Sequence, residues 1–209
     1  MNARCTLFLP LVLLTGCTQL SGVTPTLTNI PAEIHYSPAE NLEHLDVDLI
    51  GQARRSIDMN AYALTDLAIA DALVAAANRG VRIRIYRDNT QTDGELARAN
   101  KVKNSRARNS DSDEDTDDTG DANSALLRLA HTANVQVLVK HSRTLMHLKA
   151  YCVDGRLVRT GSANFSPTGE KRQDNDLIIL RDGASIQHFQ NNFNTLWARP
   201  DNESLPAQP

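Results

Sequence analysis

The stretch from Ile57 to Tyr86 leaves little choice of topology. Ile57 to Tyr62 reads as a strand and Leu67 to Ala77 as a helix. Arg79-Gly80 ends that helix, and Val81 to Tyr86 reads as a second strand. Gly80 supplies the left-handed residue that commonly stops a helix. Arg82 and Arg84 alternate out of the apolar set Val81, Ile83 and Ile85, which is the period of two expected of a strand. A single helix between two strands implies parallel neighbours and a right-handed crossover.

The same vocabulary runs along most of the chain. Ile34-His35-Tyr36 reads as an opening strand. Ser37-Pro38 with Glu40 resembles a helix start, and Leu42, Leu45, Leu49 and Ile50 recur with helical spacing. An apolar helix is expected from Ala122 to Ala130, then a strand over Val135–Val139. Leu148–Val153 and Leu157–Thr160 flank Asp154-Gly155, a strong hairpin signal. Asp176 to Leu180 is a further strand, and Ile186, Phe189, Phe193, Leu196 and Trp197 mark a closing amphipathic helix. The expected fold is α/β, a mixed central β-sheet flanked by helices. With 209 residues the chain has room for one catalytic domain, over 32–198. The tail at 199–209, with three prolines, reads as loose.

Residues 89–121 break the pattern. Lys101, Lys103, Arg106 and Arg108 run into a stretch at 111–121 that holds seven acidic residues. Charges packed this densely repel and have nothing apolar to bury, so a disordered insertion is expected at about 93–121. The order of the acidic residues does not fit a calcium-binding helix–loop–helix. The whole chain carries a net charge of −3, which excludes a protein that grips nucleic acid by bulk charge. With those seven set aside, 18 acidic residues face 22 basic ones, so the remaining surface is mildly basic.

The N-terminus reads as an address. Arg4 precedes a short apolar run from Cys5 to Leu14, too short to span a bilayer, and residues 1–16 describe an export signal peptide. The ending Leu14-Thr15-Gly16-Cys17 resembles a bacterial lipoprotein lipobox. That resemblance implies a lipidated Cys17 as the mature first residue and a tether over 17–31. It also implies an exported protein, lipid-anchored to a membrane of the bacterial cell envelope and facing the periplasm. Cys5, Cys17 and Cys152 form no disulfide framework and lack zinc-ligand spacing, so no metal and no cofactor are expected.

The chemistry is concentrated between His147 and Asn164. In a strand, His147 and Lys149 share a face. An imidazole is a nucleophile near neutral pH, and a neighbouring ammonium can hold a phosphate oxygen. Gly161 permits close backbone approach, while Ser162 and Asn164 bring uncharged polar groups to the same end. The set offers a nucleophile with cationic and neutral donors, and too few convergent carboxylates for a two-metal cluster. Taken singly, each of these residues has an ordinary surface or turn reading.

The combination is more specific. His147-x-Lys149, four residues, Asp154, six residues, then Gly161-Ser162-x-Asn164 resembles the HKD signature of the phospholipase D superfamily. The similarity extends over roughly 34–198 and is nearest the small bacterial endonuclease branch, with one HKD motif per chain. The resemblance implies that His147 attacks phosphorus and forms a phosphohistidine, while His147 of a second copy protonates the leaving oxygen. It implies phosphate binding by Lys149, Ser162 and Asn164, and a supporting role for Asp154. An acidic residue beyond the motif orients the histidine in this family, and Asp174 holds the matching position, as Asp where Glu is usual. No second His-x-Lys occurs, so the resemblance implies a homodimer that completes the active site.

Substrate is a separate inference. The reaction expected is metal-independent phosphodiester hydrolysis. The chain's brevity favours an endonuclease acting on DNA or RNA, with Lys140, Arg143, Lys149, Lys171 and Arg172 able to line a groove with positive charge. Aromatic residues make up only 4%, so no stacking ladder for base recognition is expected. The alternative is a phospholipase D or cardiolipin-type hydrolase acting on membrane phospholipids, which the expected anchor would place beside its substrate.

Overall fold

The strand–helix–strand unit forms as expected and lies at the heart of one eight-stranded sheet. The computed structural model describes residues 31–108 and 122–205. In chain order the elements are β1 (Glu33–Ser37), α1 (Leu42–Gly51), β2 (Ser56–Ala61), α2 (Leu67–Asn78), β3 (Arg82–Asp88), α3 (Asn89–Arg108) and α4 (Ala122–Ala130). They continue with β4 (Val135–Lys140), β5 (Lys149–Val153), β6 (Leu157–Gly161), α5 (Pro167–Lys171), β7 (Asn175–Leu180), α6 (Gly183–Trp197) and β8 (Asn202–Ser204). The strand order is β1-β7-β6-β5-β2-β3-β4-β8. β2, β3 and β4 run parallel, and every other neighbour pair is antiparallel.

Alternation along the strands sorts the core onto two faces. Ile57, Met59 and Ala61 of β2 and Ile83 and Ile85 of β3 pack with Leu49, Ile50, Ile69, Leu73 and Leu126 from the helices on one side. On the other side α6 covers two smaller clusters, Tyr86 and Met146 with Phe193 and Leu196, and Cys152 and Val158 with Ile186. Arg84 points to this second face, where it forms a two-bond pair with Asp58 at 2.7 and 2.9 Å and lies over the Phe193 ring. Both faces of the sheet are therefore covered, as a parallel core requires.

Three expectations are corrected. Residues 89–108 form α3, although a loop was expected there. Its first turns are held by a buried Arg87–Glu95 pair at 2.5 Å, and Glu95, Leu96, Ala97, Arg98 and Lys101 are good helix formers. The tail contributes β8, which pairs with β4 and covers what would otherwise be a bare sheet edge. Pro38 to Glu40 form a turn, and the first helix starts instead at Leu42, capped by Asn41, whose side chain accepts from the Glu43 amide at 3.1 Å. The expected signal segment, Cys17 and its tether, and the acidic run at 111–121 lie outside the described residues.

Candidate active site

β5 and β6 deliver the motif to the sheet end where β2 and β3 also terminate. The three-residue connection between them uses positive φ at Asp154 (54°) and Gly155 (66°), and is closed by the Arg156 amide donating to the Val153 carbonyl at 2.9 Å. That turn sits at the opposite end of β5 from Lys149, about 16 Å away at the usual rise per residue. Asp154 therefore does not reach the chemistry. Its Oδ1 accepts from the amides of Arg55 (2.7 Å) and Ser56 (2.9 Å), and its Oδ2 from Arg54 (2.9 Å). Burial opposes ionisation there, but these amides and the charge of Arg55 hold the Asp154 carboxyl below its ordinary range.

The strand begins at Lys149, so His147 stands just before it rather than within it. The Lys149 ammonium, buried with its residue only 6% exposed, reaches back to His147. It stands 2.9 Å from Nδ1 and 3.0 Å from Nε2, and donates to the His147 carbonyl at 2.9 Å. Tyr62, at the end of β2, supports both groups. Its ring lies 4.4 Å from the imidazole at 60°, and the ammonium sits 5.1 Å above it. Desolvation and the charge of Lys149 pull the His147 pKa below its ordinary value, while Asp88 pulls the other way. Burial likewise lowers Lys149. The arrangement keeps the imidazole neutral, the form that can attack phosphorus.

The second half of the motif follows β6. Gly161 has φ 143°, and a Cβ there would lie 2.3 Å from the Asp176 carbonyl oxygen, so only glycine lets β6 approach β7 this closely. Ser162 is locked onto Asp176. Its amide donates to Asp176 Oδ1 at 2.9 Å, its hydroxyl donates to the same oxygen, and the Asp176 amide donates to the hydroxyl oxygen at 2.9 Å. The Ser162 bonds hold the Asp176 carboxyl below its ordinary range. Asn164 keeps a buried Oδ1 without a partner among the described residues, and Gly169 leaves the space against its backbone that a Cβ would fill. Asp174 is exposed just ahead of β7, and among the described residues it bonds neither His147 nor Ser162.

Two devices hold the halves together. After β2, the Tyr62 amide donates to the Leu148 carbonyl at 3.0 Å, and the amides of Thr65 and Asp66 donate to the Phe165 carbonyl at 2.8 and 3.1 Å. Beneath them lies Arg159, fully buried, whose Nη1 donates to the carbonyls of Lys149 (3.2 Å) and Ala163 (3.3 Å). Asp46 grips the same guanidinium at 2.9 and 2.7 Å, and Glu170 adds one bond at 3.2 Å. Burial and the Asp46 charge push Glu170 up to about 9, so at neutral pH Glu170 carries a proton; burial raises Asp46 as well, while the Arg159 charge pulls it back down.

The sequence reading did not single out Tyr62, Asp88, Arg159 or Asp176 as site residues. Asp88 ends β3 and accepts the Met146 amide at 2.9 Å, which fixes the segment leading into His147. Of the expected basic rim, Lys171 is paired with Glu43 and stands 3.9 Å from Asp66, Lys140 is buried, and Lys149 lies in the site. Arg143 and Arg172 remain exposed. Among the described residues no group of three or more His, Cys, Asp or Glu is placed to hold a metal ion. Nor is any helix among them long and apolar enough to cross a membrane.

Comparison with known proteins adds the family. A family model described as cardiolipin synthase, PLD-like domain, matches residues 47–197. A mitochondrial cardiolipin hydrolase of Chlamydomonas reinhardtii is 26% identical over 151 residues, covering 72% of this chain and 55% of that protein. A phospholipase D of Rickettsia bellii is 23% identical over 164 residues, covering 78% of this chain and 68% of the other. The chain thus spans little more than half the length of the first relative and about two thirds of the second. Among solved structures, a phospholipase D family member, Nuc from Salmonella typhimurium, shares the fold with a TM-score of 0.64 at 22% identity, over 83% of this chain and 97% of that one. NucT from Helicobacter pylori does so with a TM-score of 0.63 at 17% identity, over 84% and 99%. A matched family model over most of the folded domain and the His147–Lys149 geometry lead to one conclusion: the chain belongs to the phospholipase D superfamily and carries its HKD motif.

Proposed function

We propose that this protein is a metal-independent phosphodiesterase that hydrolyses membrane phospholipids, with His147 as nucleophile. The observation that carries the lipid reading is the surface around that histidine: Leu145 and Leu148 flank it and are 55% and 42% exposed. Exposed leucines beside a reactive group suit an apolar substrate better than a solvated polyanion. The endonuclease reading rested on the chain's brevity and on a basic groove, and one of that groove's five cations, Lys171, is engaged by Glu43. The names of the curated relatives, a cardiolipin hydrolase and a phospholipase D, point the same way.

In this reading the neutral imidazole of His147 attacks phosphorus. The new N–P bond forms as the P–O bond to the departing alcohol breaks, and His147 of a second copy gives that oxygen its proton. Water, deprotonated by the same second histidine, then displaces the first, leaving a phosphomonoester. Lys149 and Asn164 hold the non-bridging oxygens, and Ser162 adds a donor once its hydroxyl turns from Asp176. The homodimer follows from one His-x-Lys per chain, and attachment through a lipidated Cys17 keeps the site at a membrane surface. Mass spectrometry of the protein from a bacterial envelope fraction checks the anchor, and light scattering checks the dimer.

The deciding experiment offers the protein phosphatidylcholine vesicles, cardiolipin vesicles, labelled DNA and labelled RNA in EDTA, with His147→Ala as control. Lipid turnover that vanishes in the variant is the expected result. Cleavage of nucleic acid alone would replace the lipid reading with the endonuclease one.

A further inference from the structure

The end of the sheet opposite His147, where β2, β3 and β6 start and β5 and β7 finish, gathers arginines. Arg54 and Arg55 precede β2, Arg79 caps α2, Arg82 opens β3, Arg156 leads into β6 and Arg181 follows β7. All but Arg181 are exposed. Among the described residues the Arg54 and Arg79 side chains donate only to the carbonyls of Gly51 and Ala53, and that of Arg55 to the Asp154 carbonyl at 2.9 Å. The carboxylates at this end are mostly engaged elsewhere: Asp154 by backbone amides, Asp58 by Arg84, Asp182 as the cap of α6 and Glu33 by Arg181. Asp48, a turn back along α1, is exposed and makes no ion pair among the described residues. Guanidinium groups collected in this way repel one another, and each keeps donors that a carbonyl does not exhaust. A recess of about 170 Å³ lies among them, with Gln52, Asp154, Arg156, Leu157 and Arg181 on its walls.

We propose that this arginine end is a docking surface for an anionic membrane, with one lipid headgroup phosphate seated beside Arg156 and others met by Arg54, Arg55 and Arg79. A guanidinium fork matches phosphate oxygens in pairs, so arginines suit this partner better than lysines would. The course of the chain favours a membrane over a nucleic acid. β1 starts at this same end, with Glu33 opposite Ile179 of β7, so the stretch that leads back to Cys17 joins the domain on the arginine side. A membrane attached through Cys17 therefore meets this end first. The lipid bound here is not the substrate, because His147 stands at the opposite end of the sheet. Under the lipid reading of the active site, a docked domain works on a facing bilayer rather than on the one that holds it.

The test measures partition of the full chain onto vesicles of phosphatidylcholine alone and of an equimolar mixture with phosphatidylglycerol, in a His147→Ala background so that no lipid is consumed. The ratio of the two partition coefficients is compared between variants, so that whatever residues 1–31 contribute is common to all. Arg54→Gln and Arg156→Gln should each lower that ratio about fivefold, the worth of one basic residue at an anionic surface. Added salt should lower it too. Arg143→Gln removes the same charge from the His147 end, beyond the reach of a screened field, and should change the ratio less than about twofold. An equal or larger fall in Arg143→Gln would overturn the docking surface, since the reactive end or bulk charge would then hold the membrane. Unchanged ratios in Arg54→Gln and Arg156→Gln would overturn it as well. If either variant fails to fold, Arg79→Gln serves the same comparison and should lower the ratio in the same direction. Loss of DNA binding in the arginine variants with the vesicle ratio intact would make this end a nucleic-acid surface instead. None of these outcomes touches hydrolysis by the unmodified protein, so failure here leaves the reading of the active site standing.

Discussion

The two ends of β5 carry residues of the same motif, yet they are built to opposite purposes. At the Asp154 end each carboxylate oxygen is met by a backbone amide, and the carboxyl is stabilised as an anion. At the His147 end the ammonium of Lys149 has, among the described residues, only the imidazole, a carbonyl and the Tyr62 ring for company, and its charge is disfavoured by burial. The first end is complete without a ligand. The second presents an imidazole and a cation with spare donors, which an incoming phosphate would satisfy. A motif read as one unit thus divides into a structural half and a reactive half.

Breaking the reactive end should give the largest effect. His147→Ala should lower phosphodiester hydrolysis by more than about 10⁴-fold, as removal of a nucleophile does. Its thermal midpoint should stay within a few degrees of the unmodified protein, because the imidazole is exposed. Asp154→Ala should do the reverse. Three backbone amides lose their acceptor, and unfolding by urea should show a loss of about 2–4 kcal/mol. The folded fraction should keep most of its kcat. A large fall in kcat with stability intact would mean that Asp154 acts on the chemistry after all.

The Arg159 clasp joins the two halves from below, and pH sharpens its role. Glu170 has a folded pKa of about 9 against an ordinary 4.5, so the folded protein holds a proton that the unfolded chain has already lost through most of that range. A raised carboxyl pKa means that stability falls as pH climbs from about 4.5 towards 9, by at most about 1.4 kcal/mol per pH unit. Glu170→Gln mimics the protonated acid and should flatten that decline while leaving Arg159 in place. Denaturation midpoints at pH 5, 7 and 9 check it. A decline equally steep in the variant would assign the proton to another group.

How much of this was legible in the sequence follows from the range of the interaction. Apolar periodicity over a few residues marked β2, α2 and β3, and the Asp154-Gly155 pair marked the hairpin. The motif spacing marked His147, Lys149 and Asn164. Arg159 and Asp176 were not legible as site residues, because their roles arise from register across the sheet: Tyr151 lies opposite Arg159, and Leu177 opposite Gly161. Asp46 is 113 positions from its partner Arg159, a separation that no local pattern reports. α3 was missed because charge density suggested disorder, whereas its first turns are anchored by the buried Arg87–Glu95 pair. β8 was missed because three prolines read as a loose tail, whereas a short segment among them finds the free edge of β4.

The smallest effect probes the balance of charge at the reactive end. The attacking form of His147 is neutral, so activity falls as pH drops through its pKa. A pKa held below 6.5 puts the acid limb of kcat/KM below that value. Lys149 and Asp88 act on it with opposite sign, and their removal should therefore move it in opposite directions. Lys149→Met deletes the repelling charge and should raise the His147 pKa, read by NMR titration of the ring since turnover is lost. Asp88→Asn deletes the attracting charge and should move the acid limb of the still-active enzyme lower. It should also cost about 1 kcal/mol of stability, because an amide cannot accept from both Gln91 and Met146 as the carboxylate does. If both variants shifted the imidazole the same way, solvent access rather than charge would set its pKa, and the contrast between the two ends of β5 would rest on burial alone.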